Sequence, residues 1–337
     1  MADPLPISVV IPAHNRESMI QTAVGSVRAQ TRRPAEIIVV DDGSTDRTGT
    51  IAQTMGASVI RQTNQGPSAA RNAGILAATQ PWIAFLDSDD VWLPAKLELQ
   101  WAAAQEWPGA GVVFSDYAIE RDGEIPVPSY LAFRNVHFEM SRLPGKASGC
   151  CDRASLCREF LEKNFIMASA PLIRRDLLIS AGLFDTELRY CEDYDLHLRL
   201  LTISDFVLVD RPLVHYRFHD ANASKGVGKN DLGILMVAER VFAQPQKYPS
   251  GAAGYFHRRH PRDLKRAGVN RLRVGDFESA KQYLRTSLRR RFSVSAYAWY
   301  CSALAFGLAG PSFHYALRML WRKRFKLPFL RDRSTFR

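Results

Sequence analysis

Short apolar runs that stop at polar loops recur along the first third of the chain. Ile7-Ser8-Val9-Val10-Ile11 ends at Pro12, Glu36-Ile37-Ile38-Val39-Val40 at Asp41-Asp42-Gly43-Ser44, and Trp82-Ile83-Ala84-Phe85-Leu86 at Asp87-Ser88-Asp89-Asp90. Runs of this length and composition predict buried strands. Between them, the spacing of Met19, Ile20, Ala23, Val24 and Val27 predicts a helix over 17–30. Further helices are expected from Asp46 through Met55 and over the Ala-rich stretch 68–78, with a short strand at 58–61. This alternation predicts an α/β fold, a mixed, mainly parallel sheet with helices on both faces. Ligands of such sheets bind beyond the carboxyl ends of the strands, so the three polar loops are expected to converge on one site.

Further along, the pattern predicts a helix over 94–107, a strand at 111–115 and an irregular flap over 120–150, where Pro126, Pro128 and Pro144 fall. Helices are expected at 154–164, 176–181 and 194–201, and strands at 170–173, 206–209 and 213–216. After about residue 225 the pattern turns helical, with two helices joined at Gly275-Asp276. Two domains are expected, 1–225 and a basic, mainly helical 226–337.

Composition narrows the class. With 46% apolar residues in 337, the chain is globular rather than disordered. Five cysteines without a CxxC pair argue against a zinc knuckle and a disulfide framework, and favour a reducing, cytosolic setting. The start, MADPLPISVV, lacks the basic and apolar segments of a signal peptide. The net charge of +11 is uneven: residues 258–337 hold 20 Lys/Arg against 4 Asp/Glu (+16), the remainder 25 against 30 (−5). Such a tail suits a phosphate-rich partner. Without regularly interleaved aromatics, no nucleic acid is expected, and an anionic membrane surface is favoured. Residues 292–317 are uncharged between Arg289-Arg290-Arg291 and Arg322-Lys323-Arg324. Their length suits a membrane span, but Ser, Tyr, Gly, Pro311 and His314 dilute it, which favours helices packed on the body or lying on a membrane surface.

The candidate chemistry is acidic. Asp87, Asp89 and Asp90 repel one another unless a partner compensates them. A strand-end Asp-x-Asp suits a Mn²⁺ or Mg²⁺ that also grips a diphosphate. A calcium loop is excluded by Trp92, which stands where the sharp-turn glycine belongs. Capping of the next helix by Asp89 or Asp90 would account for one carboxylate of the three. Asp41 and Asp42 precede a turn in which Thr45 or Asp46 is a candidate cap, and they lie beside Pro12-Ala13-His14-Asn15. Arg71 suits a phosphate or base, or simply a helix surface. Glu192, Asp193 and Asp195 open a helix whose dipole favours acids; Asp193 also suits a general base that takes a proton from an acceptor hydroxyl. His219 is a candidate metal or phosphate contact.

In order and spacing, VVIPAHN, VVDDGSTD, QGPSAARNAG, FLDSDD, LFDTEL and EDYDLHLRL resemble the inverting, GT-A-fold glycosyltransferases of family 2, over about residues 5–225. The resemblance implies a nucleotide-binding half, 5–115, and an acceptor half, 116–225. It implies a nucleotide-sugar donor, most often a UDP-sugar, a Mn²⁺ or Mg²⁺ cofactor, and a glycan or lipid-linked acceptor. Carried onto this chain, Pro12, Ala13, His14 and Asn15 form the first loop of the nucleotide pocket, with Glu17 after it. Asp42 reads the base, assisted by Asp41, and Arg71 contacts the nucleotide. Asp87 lies near the ribose and shares the metal motif with Asp89, with Ser88 between them, and Asp193 is the catalytic base. His14 stands where the family more often has Tyr or Phe, and Leu183 where it usually has a second Gly. Two rival readings are a sugar nucleotidyltransferase, which lacks its Gly-rich, lysine-bearing triphosphate loop here, and a non-catalytic nucleotide or polyanion binder. The expected location is the cytoplasm, peripheral on the inner face of the membrane.

Overall fold

A computed structural model describes residues 3–219 and 226–308. The end of the uncharged run, 309–317, and the remaining basic tail lie outside the described residues. The chain divides into two compact units, the first holding 3–219 and 244–250, the second 226–243 and 251–308.

The first unit begins β1 (Leu5–Ala13), α1 (Ile20–Arg28), β2 (Pro34–Asp42), α2 (Thr48–Thr54), β3 (Ser58–Gln62), α3 (Pro67–Ala77) and β4 (Trp82–Phe85). It continues through β5 (Val91–Trp92), α4 (Lys96–Glu106), β6 (Ala110–Arg121), β7 (Glu124–Val127), α5 (Tyr130–Phe133), β8 (Met140–Arg142) and β9 (Ser148–Cys151). Then come α6 (Arg153–Lys163), β10 (Leu172–Arg174), α7 (Arg175–Ser180), α8 (Glu192–Ile203) and β11 (Asp205–Arg217). The strands form one sheet in the order β3-β2-β1-β4-β10-β6-β11-β9-β8. β3, β2, β1 and β4 are mutually parallel, as are β6 and β11; β10 runs antiparallel to both β4 and β6 and joins the two parallel groups. Strands covered on both faces read as continuous apolar runs, and Ile7, Val9, Val10 and Ile11 are fully buried. Gly74 lets α3 close on β1, because a Cβ there would fall 2.3 Å from Val10.

Several sequence expectations change. Residues 120–150 are not simply an irregular flap: β7, α5, β8 and β9 fall in that stretch, and β9 pairs with β11. The two late strands are one, β11, with a register irregularity between Val209 and Pro212. The helix expected from Pro94 starts at Lys96, after Val91–Trp92 has paired with β11.

The second unit is α9 (Lys229–Ala243), α10 (Ala252–Val274), α11 (Phe277–Arg290) and α12 (Val294–Leu308). α10 and α11 meet where expected. Gly275 takes the left-handed conformation at φ 81°, and the Asp276 side chain caps α11 by accepting from the Ser279 amide. No disulfide joins the five cysteines.

Candidate active site

The carboxyl ends of β1, β2 and β4 bring the first three polar loops together. Pro12 and Ala13 are the buried last residues of β1, paired with Val40 and Asp41 of β2. His14 Nδ1 lies 2.9 Å from the Asp42 carbonyl, and the Asn15 side-chain oxygen accepts from the Thr45 amide at 2.9 Å. Asn15 itself takes a left-handed φ of 51°. Glu17 pairs with Arg47 and accepts from its amide, so it ties the first loop to the second. Asp46 accepts from the Thr48 amide, which satisfies the start of α2.

The two adjacent aspartates of the second loop differ. Both oxygens of Asp42 are engaged, Oδ1 by the Gln62 side chain and the Gln65 amide, Oδ2 by the Gly66 amide. That carboxylate holds the chain leading into α3. Asp41 accepts from the Ser44 amide and lines a cavity of about 380 Å³ together with Asp46, Arg61 and Gln62.

The acidic loop after β4 resolves into three different environments. Asp87 Oδ1 accepts from Arg71 at 2.7 Å. Asp89 Oδ2 stands 3.2 Å from His219 Nε2, bringing together two groups 130 residues apart. Burial and the neighbouring Asp87 carboxylate raise the Asp89 carboxyl above its ordinary range. Asp90 is buried, receives the Ser169 hydroxyl at 2.6 Å and the Arg217 amide at 3.3 Å, and is pushed up further, chiefly by burial. Ser88 is also buried. Neither Asp89 nor Asp90 caps α4, which has no side-chain cap, so the capping alternative falls away.

Arg71 connects this loop to the other side of the site. Its guanidinium is buried, with Nη2 on Asp87 and Nη1 on Glu192 at 2.8 Å, and it lies over the Phe184 ring at 5.2 Å. Burial opposes its charge, but the two carboxylates outweigh that and hold it protonated. Glu192 opens α8 and Asp193 follows it. Asp193 retains some contact with solvent at the edge of the site and accepts from the Tyr194 amide at 2.8 Å. Loss of hydration and the adjacent Glu192 charge push its carboxyl up to about 7, against the pull of Arg71.

The loop before α8 is clamped. Asn72 holds Phe184 from both sides, donating to its carbonyl and accepting from its amide, each at 2.9 Å. Arg199 donates to the carbonyls of Ala181 and Leu183 and makes two bonds to Asp195. Asp195 receives the Tyr248 hydroxyl at 2.6 Å. Sequence reasoning assigned no such role to Ser169, Phe184, Glu192, Arg199 or Tyr248, since each acts through a partner distant in the chain.

The donor set fits a divalent cation in the company of a diphosphate. Asp87 and Asp89 are two hard oxygen donors at one strand end, with an imidazole beside Asp89. Among the described residues no group of three His, Cys, Asp or Glu that could hold a metal ion comes together.

The model for Glycosyl transferase family 2 matches residues 8–165. A Haemophilus influenzae protein described as an uncharacterized glycosyltransferase is 27% identical over 227 residues, covering 65% of this chain and 70% of that one. Over residues 8–165 the chain thus matches the family 2 glycosyltransferases. The succinoglycan biosynthesis protein ExoU of Rhizobium meliloti is 29% identical over 279 residues, 78% of this chain and 77% of its own length. Among solved structures, S. aureus TarS in complex with UDP-GlcNAc aligns with a TM-score of 0.61 at 17% identity, over 94% of this chain and 92% of that one. A Pyrobaculum calidifontis mannosyltransferase in complex with GDP-Man and Mn²⁺ aligns with a TM-score of 0.54 at 17% identity, covering 95% and 90%. At these identities the structures establish a shared fold, that of GT-A transferases.

Proposed function

We propose that this glycosyltransferase moves a sugar from a nucleotide-diphosphate sugar, a UDP-sugar by preference, to a hydroxyl of a glycan or lipid-linked acceptor, with inversion at the anomeric carbon. One observation carries the reading: buried Arg71 joins the donor-side carboxylate Asp87 to Glu192, the immediate neighbour of Asp193. The two halves of a displacement, leaving group and incoming hydroxyl, are thereby referenced to one rigid cation.

Asp87 and Asp89, with His219 at the rim, are the residues that would hold a Mn²⁺ or Mg²⁺. Such an ion supplies Lewis-acid stabilisation of the departing diphosphate. The rest of the work belongs to the chain. The His14–Asn15 loop and the Asp41 cavity shape the nucleotide side, with Asp41 the better placed of the two aspartates to meet a base. Asp193 accepts the acceptor's proton, and a carboxyl held near 7 is matched to that task at neutral pH. ExoU's description as a biosynthesis protein for succinoglycan supports a polysaccharide-type acceptor, and the UDP-GlcNAc and GDP-Man complexes support nucleotide-sugar donors.

Asp193→Asn tests the assignment. Turnover should fall ~10²–10⁴-fold while donor affinity, read by calorimetry with Mn²⁺, stays unchanged. Normal turnover by the folded variant would refute Asp193 as the base.

A further inference from the structure

The second unit contains a helix whose composition and exposure disagree. From Phe292 to Leu308 there is no charged residue. A helix apolar on all sides is normally covered on all sides. The inner face of α12 is covered, with Trp299, Tyr300 and Ala303 packed against Ala280 and Leu284 of α11. The outer face is not. At 3.6 residues per turn, Val294, Tyr297, Ala298, Cys301 and Leu304 form one stripe about 120° wide, opposite the packed residues, and all five are exposed. Val294 is 77% exposed, Tyr297 53%, and Phe292 just before the helix 69%. Arg289, Arg290 and Arg291 precede this patch without interruption and are exposed as well.

We infer that the outer stripe of α12, together with Phe292 and the arginines at 289–291, docks the protein onto an anionic lipid surface. The two chemistries need different things from a partner. The arginines need fixed negative charge, and the stripe needs an apolar phase it can enter. A membrane with anionic headgroups offers both at the same depth, with aromatic side chains at the boundary. A second copy of the chain meets the stripe but not the arginines, because a twofold contact through this patch brings the two basic runs together. A nucleic acid meets the arginines but leaves the stripe in water. In this inference the contact lies in the plane of the surface, and no described helix is long and apolar enough to cross a membrane.

The whole 337-residue chain can be tested by flotation with vesicles of phosphatidylcholine alone and vesicles that also contain phosphatidylglycerol, at low and high salt. Each basic residue near such a surface strengthens binding about fivefold, and salt screens that part. The parent should bind phosphatidylglycerol vesicles at least about tenfold more tightly than phosphatidylcholine, with the preference shrinking in high salt. Reversing Arg289, Arg290 and Arg291 to Glu should weaken it about 100-fold. The pair Val294→Ser and Tyr297→Ser should weaken it about tenfold without changing the thermal midpoint. Four results overturn the inference. One is a parent that ignores phosphatidylglycerol. Another is variants that bind as the parent does, which moves the attachment to other residues. The third is a doubled mass in light scattering that depends on Val294 and Tyr297 without vesicle binding, which makes a second copy the occupant. An oligonucleotide bound by parent and Ser variants alike, with no vesicle binding, would overturn it in favour of nucleic acid.

Discussion

Residues 87–90 and 192–195 each supply three carboxylates, and the two clusters use their members in the same way. One acid in each is buried in a structural bond: Asp90 takes Ser169 and the Arg217 amide, and Asp195 takes Arg199 and Tyr248. One in each takes Arg71, Asp87 on one side and Glu192 on the other. The third, Asp89 or Asp193, stays at the edge of the site. The clusters differ in what surrounds that third acid. Asp89 stands in a loop, next to a second carboxylate and opposite an imidazole, an arrangement that gathers donors around a cation. Asp193 stands in the first turn of a helix and bonds its neighbour's amide, with a carboxyl shifted to the middle of the physiological range. On the function proposed above, the first arrangement would hold a cation and the second would exchange a proton.

The largest effect should come from the residue the clusters share. Arg71→Ala leaves Asp87 and Glu192 facing each other with no cation between them. Removing one partner of a buried ion pair costs about 3–5 kcal/mol, so chemical denaturation should show a loss near that size. Arg71→Lys keeps the charge but not the two-pronged geometry, and should recover part of the stability yet little of the activity. If Arg71→Lys restored full turnover, the two clusters would not depend on a common geometric reference.

Asp193 allows a sharper separation, because its function and its stability should move in opposite directions. Its folded carboxyl, near 7, lies above the ordinary value, so the fold favours the protonated form. That contribution is complete below the ordinary carboxylate range and is lost as pH rises through about 7. Asp193→Asn cannot lose it. The variant should therefore be more stable than the parent at pH about 8, by roughly 1–3 kcal/mol, with the difference vanishing toward pH about 4. The parent's turnover should rise across the same interval, as Asp193 gives up its proton against Glu192 and Asp87 and with the help of Arg71. A variant no more stable at high pH would show that water, not burial, governs this carboxyl.

Much of this site was legible because its signals are local. Strand-end acids, a turn glycine and acids opening a helix are each read within a few residues, and parallel strands place such loops on one edge. What could not be read depends on contacts across the chain. Arg71 reads as a helix-surface or nucleotide-facing arginine until Glu192, 121 residues away, closes on it. Asp42 reads as the stronger ligand of its pair until the Gln65 and Gly66 amides occupy it. The prolines of 120–150 suggested irregular chain, but β9 found a partner edge on β11 that no local pattern announces. The length of β11 was hidden by Arg211-Pro212, which breaks the apolar run but, at a register irregularity, not the strand.

Smaller effects should separate the structural acids. Tyr248→Phe removes one bond from Asp195, a fully buried carboxylate, and should cost about 1.5–3 kcal/mol. Because Arg199 then holds Ala181 and Leu183 less firmly, KM for the acceptor should rise more than kcat falls. The corresponding change, Ser169→Ala at Asp90, should instead weaken donor binding, since the Ser169 hydroxyl also accepts from the Asp87 amide. If both variants disturbed donor and acceptor equally, the division between the clusters would fail.

The smallest effect concerns Leu183, a residue of the clamped loop whose backbone disagrees with its side chain. Leu183 sits at φ 63°, in the left-handed region, where a side chain costs about 1–2 kcal/mol. Glycine removes that cost but brings a more flexible unfolded chain, worth roughly 0.5–1 kcal/mol in the other direction. Leu183→Gly should thus stabilise the protein by about 0.5–1 kcal/mol and raise its thermal midpoint by a degree or two. The clamps from Asn72 and Arg199 act through backbone atoms, so they survive the change. A lower midpoint would mean that the leucine side chain contributes more packing than its backbone costs. A retained midpoint with altered acceptor preference would mean that the strain is kept because the side chain meets the acceptor.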